Sequence, residues 1–202
     1  MLETVQTIPL PPVDEREALR YAQGGSDEGL RLRLRACAQG VEFTPRVIYR
    51  TLEKEDFFKA VPLAKGSTSL INLLHDCEQV VLFAATVGLA FDYALQRRKN
   101  ASLADAQLMQ GLGAERIEAL CDEFCKQYEN ATRRFSPGYG DFPLEAQREL
   151  FRILRPERIG VSLTDSLMMT PSKSVTALFG LKGAYQVCDE EKTTGVETPE
   201  KG

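Results

Sequence analysis

The chain has 202 residues, 43% of them hydrophobic and 27% charged, and its formal net charge is -4. This balance is typical of a globular domain that folds without metal or disulfide support, and the negative charge argues against a nucleic-acid partner, because phosphates attract basic surfaces. No apolar run is long enough to span a membrane and no export signal is recognisable, so we expect a cytoplasmic protein without a membrane partner.

The N-terminal part of the sequence predicts a loose segment followed by two helices. We expect residues 1–13 to be a flexible segment, because their prolines resist both a helix and a central strand. Asp14 is a good N-cap for the first helix. Ser26 can cap a second helix that ends at Gly40, although the same stretch also alternates as a strand would.

The middle of the chain predicts strands alternating with helices. Residues 46–52 (RVIYRTL) are rich in β-branched and aromatic residues, which is typical of a strand, and a short helix follows from Ser67 or Ser69. Residues 79–85 (QVVLFAA) are a continuous apolar run, which indicates a strand buried on both faces. The turn at Gly88 then leads into another helix. Because this glycine stands alone, we exclude a dinucleotide-binding motif.

A capping box at residues 102–105 (SLAD) opens the longest predicted helix, which we expect to run to about Glu129. Gly113 inside it weakens a helix by about 1 kcal/mol relative to alanine, so it indicates close packing against another element. The helix has an apolar stripe at spacings of three and four residues that should pack on the sheet. Its members are Ala106, Met109, Gly113, Ile117, Leu120, Phe124 and Tyr128.

The C-terminal part predicts one helix and two strands. Pro143 suits the first turn of a helix that Pro156 stops. Residues 159–163 are a predicted strand, and residues 174–181 (SVTALFGL) alternate as in a half-buried antiparallel strand.

The order of these elements predicts the fold class. Strands and helices follow one another without regular βαβ alternation, which indicates an α+β fold with a mainly antiparallel sheet packed with helices. We expect one compact domain over residues 14–188. Residues 189–202 contain a single aliphatic side chain and should be a disordered tail.

The cysteine pattern indicates neither a disulfide framework nor a zinc or iron–sulfur site, because the number is odd and no Cys-x-x-Cys occurs. Cys121 and Cys125 are four residues apart and could support a metal, but His75 is the single histidine, so two small core residues are the preferred interpretation. The five cysteines are Cys37, Cys77, Cys121, Cys125 and Cys188.

Residues 133–144 read RRFSPGYGDFPL. This stretch contains more arginine, proline, glycine and aromatic residues than a turn requires. Arg134 offers a planar guanidinium for a carboxylate or for ribose oxygens. Ser136 and its neighbours offer backbone donors and acceptors, and Gly138 with the preceding proline fixes a corner on which Tyr139 can stand beside a ligand. These residues predict a binding loop. The alternative is a surface loop with an ion pair and a buried tyrosine.

This loop and the later segment LTDSLMMTPSKSVT (residues 163–176) resemble, in order and spacing, the activation domain of vitamin B12-dependent methionine synthase. In that family an R-x-P-x-G-Y loop binds S-adenosylmethionine (AdoMet), and a segment of the form L-T-E-S-x-x-M-x-P-x-x-S-V-S enters the sheet. The resemblance covers about residues 103–187 and extends more weakly to the LFAATVG strand.

The resemblance implies an activation-domain fold and a role as a separately made AdoMet-binding module. Such a module supports the reductive methylation, or reactivation, of oxidised Co(II) cobalamin in methionine synthase. Its implied partners are a cobalamin-binding methionine synthase chain and flavodoxin or ferredoxin as electron donor. It would be a component of that methyltransferase rather than a complete enzyme, since it positions the ligand and supplies no acid, base or nucleophile.

The resemblance also assigns the ligand-binding residues, with three departures from the family pattern. Phe135 stands where the family often has proline, and Ala119 competes with Glu118 for the position of an acidic contact on the long helix. Tyr185 stands where the family has a longer loop and a Tyr-Tyr pair. The residues implied to bind AdoMet are Arg134, Ser136, Gly138, Tyr139, Glu118 and Tyr185.

Other functions compete with this interpretation. A protein could keep the fold without binding AdoMet and serve as a docking or scaffold partner of a corrinoid methyltransferase. A methyltransferase for another substrate should carry a glycine-rich motif after its first strand, and a redox carrier should carry a flavin or cluster motif. Neither motif occurs in the sequence.

Overall fold

The structure is a computed structural model that describes residues 3–25 and 27–183. Its centre is a four-stranded sheet in which every neighbouring pair is antiparallel, in the order β1-β2-β3-β6. The predicted α+β class with an antiparallel sheet is therefore confirmed. The strands are β1 (Thr4–Gln6), β2 (Arg46–Glu53), β3 (Gln79–Thr86), β4 (Ser162–Leu163), β5 (Met169–Thr170) and β6 (Ser174–Leu181), of which β4 and β5 form a separate hairpin.

Helices cover both faces of this sheet. The first face carries α1 (Glu15–Tyr21), α2 (Glu28–Ala38), α5 (Leu89–Ala101) and α6 (Leu103–Cys125). The second face carries α3 (Lys54–Ala60), α4 (Thr68–Leu73) and α7 (Ala146–Leu154), with short 3-10 turns at Pro62–Gly66 and Pro156–Ile159. Among the described residues, no helix is both long and apolar enough to cross a membrane.

Strand β3 is the centre of two hydrophobic cores. Its side chains alternate between them, with Val81 and Phe83 in the core under α6 and Val80 and Leu82 in the core under α7. All of these side chains are fully buried, so the predicted burial of this strand on both faces is confirmed. Strand β6, which the alternating pattern predicted to be only half-buried, is also buried on both faces, apart from the partly buried Val175. That expectation is wrong because α7 and the preceding loop cover its second face.

The longest helix, α6, packs on the sheet as predicted. Ser102 is its N-cap, and its hydroxyl accepts a hydrogen bond from the Asp105 amide at 3.2 Å. The Phe124 ring lies 5.0 Å from the Phe83 ring and 5.2 Å from the Tyr49 ring, centroid to centroid. Such tilted aromatic contacts add to the burial of apolar area, and they fix the height of α6 above β3.

The N-terminal segment differs from expectation. We expected residues 1–13 to be loose, but Thr4–Gln6 pair with β2 as an edge strand. The prolines follow this strand rather than interrupt it, and the carbonyls of Pro11 and Pro12 accept hydrogen bonds from Arg116. Arg116 is buried and forms an ion pair with the buried Glu115. A buried ion pair with further hydrogen bonds is costly to break, so it holds the segment on α6.

Smaller differences concern element boundaries. The second helix is capped by Asp27, whose carboxylate accepts from the Leu30 amide at 3.0 Å, whereas the expected cap Ser26 lies outside the described residues. Helix α7 begins at Ala146 rather than at Pro143. The strand expected over residues 159–163 is confined to Ser162–Leu163, because a 3-10 turn occupies its first part.

Glycines allow two close approaches to α6. A Cβ on Gly113 would meet the Phe91 ring and would lie 2.7 Å from the Lys173 Cε atom, which agrees with the close packing expected there. A Cβ on Gly111 would meet the Ala18 carbonyl oxygen and would lie 2.7 Å from the Ala22 amide nitrogen. Helices α1 and α6 can therefore pack this closely only because residue 111 is a glycine and has no side chain.

We predict that Gly111→Ala lowers the free energy of unfolding by about 1–2 kcal/mol, because overpacking against α1 outweighs the gain in helix propensity. The matched control is Gly66→Ala, where a Cβ would meet nothing within 4 Å and where we expect no loss of stability. Urea denaturation of both variants measures the difference. Equal stabilities of the two variants would contradict the close approach.

Candidate functional site

The loop after α6 is attached to the outer edge of β6. Phe135 donates its amide hydrogen to the Leu178 carbonyl and accepts from the Leu178 amide, both at 2.8 Å. The Thr132 amide donates to the Gly180 carbonyl at 2.8 Å, and the Gly180 amide donates to the Thr132 hydroxyl at 3.0 Å. The loop thus starts as a short additional strand on a sheet edge that would otherwise be unpaired.

This short strand contains a bulge at the two arginines. Between the paired positions 132 and 135 lie Arg133 and Arg134, whereas between their partners 180 and 178 lies only Phe179. Two residues facing one is the geometry of a β-bulge, a feature that redirects side chains next to functional sites. The bulge directs Arg134 across α6.

Arg134 bridges two acidic residues of α6. One terminal nitrogen, Nη2, lies 3.0 Å from Glu118 Oε2 and 2.7 Å from Asp122 Oδ1. The Arg134 side chain is 24% exposed, so this ion pair is less screened than one on the open surface. Beneath it, burial raises the pKa of the Cys121 thiol and raises that of Cys125 to about 11. Both thiols are therefore neutral near pH 7.

A tight corner holds Tyr139 at the surface. Gly138 has a φ of +89°, which favours glycine, and its amide donates to the Phe142 carbonyl at 2.8 Å. The Tyr139 amide donates to the Ser136 carbonyl at 3.1 Å, and its ring packs edge-on against Phe135. Tyr139 is 61% exposed. The alternative interpretation therefore holds for the ion pair, but the tyrosine is not buried.

The far end of the loop is held by Asp141. Its carboxylate accepts a hydrogen bond from the Ser67 hydroxyl at 2.6 Å and from the Ser69 amide at 3.2 Å, at the start of α4. These bonds, led by that from Ser67, lower the pKa of Asp141. Since Phe135 holds the other end on β6, Tyr139 lies on a loop fixed at both ends.

Between the loop, α6, α7 and β6 lies a cavity of about 490 Å³. Its volume is in the range of small-molecule sites, and it combines apolar walls with a few polar groups. The residues that line it are Glu118, Arg133, Arg134, Ser136, Pro137, Gly138, Tyr139, Gln147, Met169, Val175, Thr176 and Ala177.

Five of the six predicted site residues surround this one cavity, although they come from two separate segments of the sequence. The sixth, Tyr185, lies outside the described residues. Of the two candidate positions on α6, Glu118 lines the cavity and also a neighbouring groove near Pro11 and Pro12, whereas Ala119 lines that groove and not the cavity.

The sequence analysis did not predict the residues that line the cavity on the side of α7 and the β4–β5 hairpin. Gln147 of α7 is buried, and its side-chain amide donates to the Leu167 carbonyl at 3.2 Å. This bond holds the β4–β5 hairpin so that Met169 lines the cavity. The available signal in the sequence was Gln147 itself, since it is a polar residue on the apolar side of a helix that faces the core.

A second cavity, also of about 490 Å³, lies between α1 and α2. Its lining is largely apolar around Leu34 and Ala38, and its arginine, Arg35, is already paired with Glu15 at 2.5 Å. It contains none of the residues that the sequence motifs singled out. We therefore assign the candidate site to the cavity at β6.

Comparisons with known proteins concern the family and the fold of the chain. Residues 113–186 match the family model of the vitamin B12 dependent methionine synthase activation domain. Methionine synthase of Mycobacterium tuberculosis is 41% identical over 69 residues, which are 34% of this chain and 6% of that protein. The crystal structure of the MetH reactivation domain bound to AdoHcy is similar with a TM-score of 0.60 and 13% identity, covering 91% of this chain and 81% of that one.

The family recognised from the two motifs is thus confirmed for residues 113–186, and the fold of the chain is that of a methionine synthase reactivation domain. The chain spans only a small part of the methionine synthase that it matches. The activity of that whole enzyme is therefore not carried over to this chain by the match.

We predict that Asp141→Ala makes the loop more mobile. The sequence contains no tryptophan, so a Tyr139→Trp variant provides a single fluorescent reporter in the loop. Removing the Asp141 carboxylate should lower the fluorescence anisotropy of Trp at position 139, because nanosecond motion of the loop increases. The control Asp56→Ala removes a carboxylate that is also exposed, from α3, and should leave the anisotropy unchanged. An unchanged anisotropy in Asp141→Ala would show that the loop does not depend on this residue.

Proposed function

We propose that this chain is an AdoMet-binding module that supports the reductive reactivation of cobalamin in methionine synthase. The observation that carries the proposal is the convergence of the R-x-x-x-G-Y loop and Glu118 on one cavity at the edge of β6. The proposal is also supported by the family match and by the AdoHcy bound to the structurally similar reactivation domain.

The charges around the cavity suit AdoMet. The sulfonium and the amino group of this ligand are positive. Glu118 lines the cavity, and with Asp122 it forms an acidic pair on α6 that the single guanidinium of Arg134 neutralises only in part. The exposed ring of Tyr139 at the cavity offers an aromatic face to a cation or to the adenine ring. The residues present therefore fit the ligand in volume, charge and aromatic contact.

The edge of β6 adds backbone groups to the cavity. The amide and carbonyl of Leu178 and Gly180 point outward to the loop. Residues two apart in a strand point to the same edge, so the backbone groups of Thr176 point outward too. Among the residues that the structure describes, none hydrogen-bonds to them. They remain available to the polar edge of a ligand's base.

The role of the chain's own residues is positioning. AdoMet, when bound, supplies a methyl group activated by its sulfonium. Arg134 holds Glu118 in place, the corner at Gly138 sets Tyr139, and the loop anchors at Phe135 and Asp141 limit movement. Holding a reactant in one orientation against its acceptor can account for much of a rate enhancement, and no side chain of the cavity has to act as a nucleophile.

We further propose that the acceptor is cobalamin on a methionine synthase chain and that flavodoxin or ferredoxin supplies the electron. Large apolar side chains are exposed around the cavity, namely Tyr139, Leu144 and Met168. Exposed apolar groups around a polar site are typical of a docking surface. This surface would bring the cobalamin of the partner to the ligand.

We predict that the wild-type protein binds AdoMet and AdoHcy in isothermal titration calorimetry, and that Arg134→Ala weakens both. We expect Arg134 to hold a polar end of the ligand by charge-assisted bonds. Loss of such bonds, about 1.5–3 kcal/mol each, corresponds to roughly tenfold to more than a hundredfold in affinity. Arg134→Lys should restore binding only in part, since an ammonium is a point charge that cannot reproduce the planar fork of a guanidinium. Arg16→Ala, an exposed arginine on α1, is the control. Absence of binding by the folded wild type would favour the scaffold function instead.

A reactivation assay tests the proposed partners. We predict that inactive, oxidised methionine synthase lacking its own activation domain regains activity only when this chain, AdoMet and a reduced flavodoxin or ferredoxin are all present. Arg134→Ala should give less recovery at limiting AdoMet, and Arg16→Ala should match the wild type. Recovery that is equal without this chain would contradict the proposal.

A further inference from the structure

Three arginines lie around one carboxylate near β1, at the opposite edge of the sheet from the cavity at β6. Arg158 Nη1 lies 3.3 Å from Glu3 Oε2, and the Glu3 side chain is only 10% exposed. The pKa of Glu3 is lowered, first by a hydrogen bond from its own backbone amide and then by the positive charges of Arg155, Arg158 and Arg50. Three positive charges thus face one negative charge, which leaves the cluster with an excess of two positive charges.

Strand pairing brings the first two members of this arginine cluster together. Thr4 of β1 pairs with Tyr49 of β2, so Glu3 and Arg50, one residue further along each strand, lie side by side. Arg50 is two residues from Ile48, which packs in the core under α7. Because side chains two residues apart point to the same face of a strand, Arg50 lies on the α7 face of the sheet.

The turn after α7 places the other two arginines on the same face. The 3-10 turn Pro156–Ile159 lies against β2, and its last residue packs in the same core as Ile48. Arg155 precedes this turn with a φ of +52°, a left-handed conformation that favours glycine. Residues with side chains that are held in this conformation are concentrated at ligand sites and active sites.

Two arginines of the cluster have no carboxylate of their own. Within residues 3–25 and 27–183, neither Arg50 nor Arg155 forms an ion pair, and the buried Nε atom of Arg50 has no hydrogen-bond partner. Glu157 is exposed and, in the same part of the chain, pairs with neither Arg155 nor Arg158. Both of these arginines are exposed, so a ligand can reach them from solvent.

The unmet charge and the donor geometry suit a phosphate group. A guanidinium presents its N–H groups as a planar fork that can donate two hydrogen bonds to one phosphate. A phosphate group carries up to two negative charges and several acceptor oxygens, so it can accept from more than one guanidinium at once. The carboxylate of Glu3 already accepts from Arg158, which demonstrates that the cluster can hold an oxyanion.

We propose that Arg50, Arg155 and Arg158 form a binding site for a phosphate group and that Glu3 is an internal counter-ion that competes with it. The phosphate group belongs either to a small soluble molecule or to a lipid headgroup, which share this chemistry. The site is separate from the cavity at β6 and does not depend on AdoMet binding.

An NMR titration of the full chain with inorganic phosphate tests this site. We expect saturable shifts of the backbone amides of residue 50 and residues 155–160 and of the side-chain Nε–H of Arg50. The amides around the cavity at β6 should not shift. Sodium chloride at the same ionic strength is the control, because screening is common to all anions. Shifts that chloride reproduces, or that do not saturate, overturn the proposal.

Two variants change the charge of the cluster in opposite directions. Arg155→Gly removes one guanidinium and places the favoured residue at a left-handed position, so it should fold and should weaken phosphate binding by about twofold to fivefold. Glu3→Gln removes the competing charge and should tighten binding by a similar factor. Arg16→Ala, an exposed arginine on α1, is the control and should bind as the wild type does. Unchanged affinity in folded Arg155→Gly, or weaker binding in Glu3→Gln, overturns the proposal.

Two further probes identify the source of the phosphate group. Glycerol 3-phosphate represents a soluble phosphate monoester, and phosphatidylcholine vesicles with added phosphatidic acid represent a lipid headgroup. Shifts of the same amides with glycerol 3-phosphate support a soluble ligand. Cosedimentation with the vesicles that requires phosphatidic acid and is weakened in Arg155→Gly supports a lipid ligand. A folded wild type that responds to none of the three phosphate probes overturns the proposal and leaves the proposed AdoMet function intact.

Discussion

The candidate site depends on how the outer edge of β6 is paired. An open strand edge must be covered or paired to avoid association with other chains, and here the loop after α6 pairs with Leu178 and Gly180. The pairing stops at Phe135, where the chain turns away towards Asp141. The outward-pointing backbone groups of Thr176 on β6 have no hydrogen-bond partner within residues 3–25 and 27–183, and the cavity lies at this point. The hydrogen bonds that protect one half of the edge thus end where the candidate site begins on the other half.

The second constraint is electrostatic. Two carboxylates one helical turn apart, Glu118 and Asp122, repel each other on α6, and the guanidinium of Arg134 between them relieves this repulsion. A planar cation can face two acceptors at once. Because Cys121 and Cys125 below are neutral thiols, they do not change this balance near pH 7. The cluster of Glu118, Asp122 and Arg134 on α6 thus keeps an excess of negative charge that does not depend on a bound ligand.

Local patterns in the sequence were sufficient for the elements that form the core. The apolar run of β3 and the capping box at Ser102 depend on neighbouring residues only, and both predictions are confirmed. The pairing of Thr4–Gln6 with β2 and the contact of Gln147 with the β4–β5 hairpin depend on tertiary contacts, and no short pattern reveals them. The same holds for Arg134, whose residue type indicated a ligand contact but whose carboxylate partners became visible only in three dimensions.

Phe135 shows how one departure from the family motif follows from the same edge pairing. The family often has proline at this position, and proline has no amide hydrogen. Here the Phe135 amide donates to the Leu178 carbonyl, and its ring is buried against Phe142. A proline would leave the Leu178 carbonyl without this donor and would remove an apolar ring from the core under α7. The phenylalanine therefore serves the attachment of the loop, and Ser136, Gly138 and Tyr139 still line the cavity.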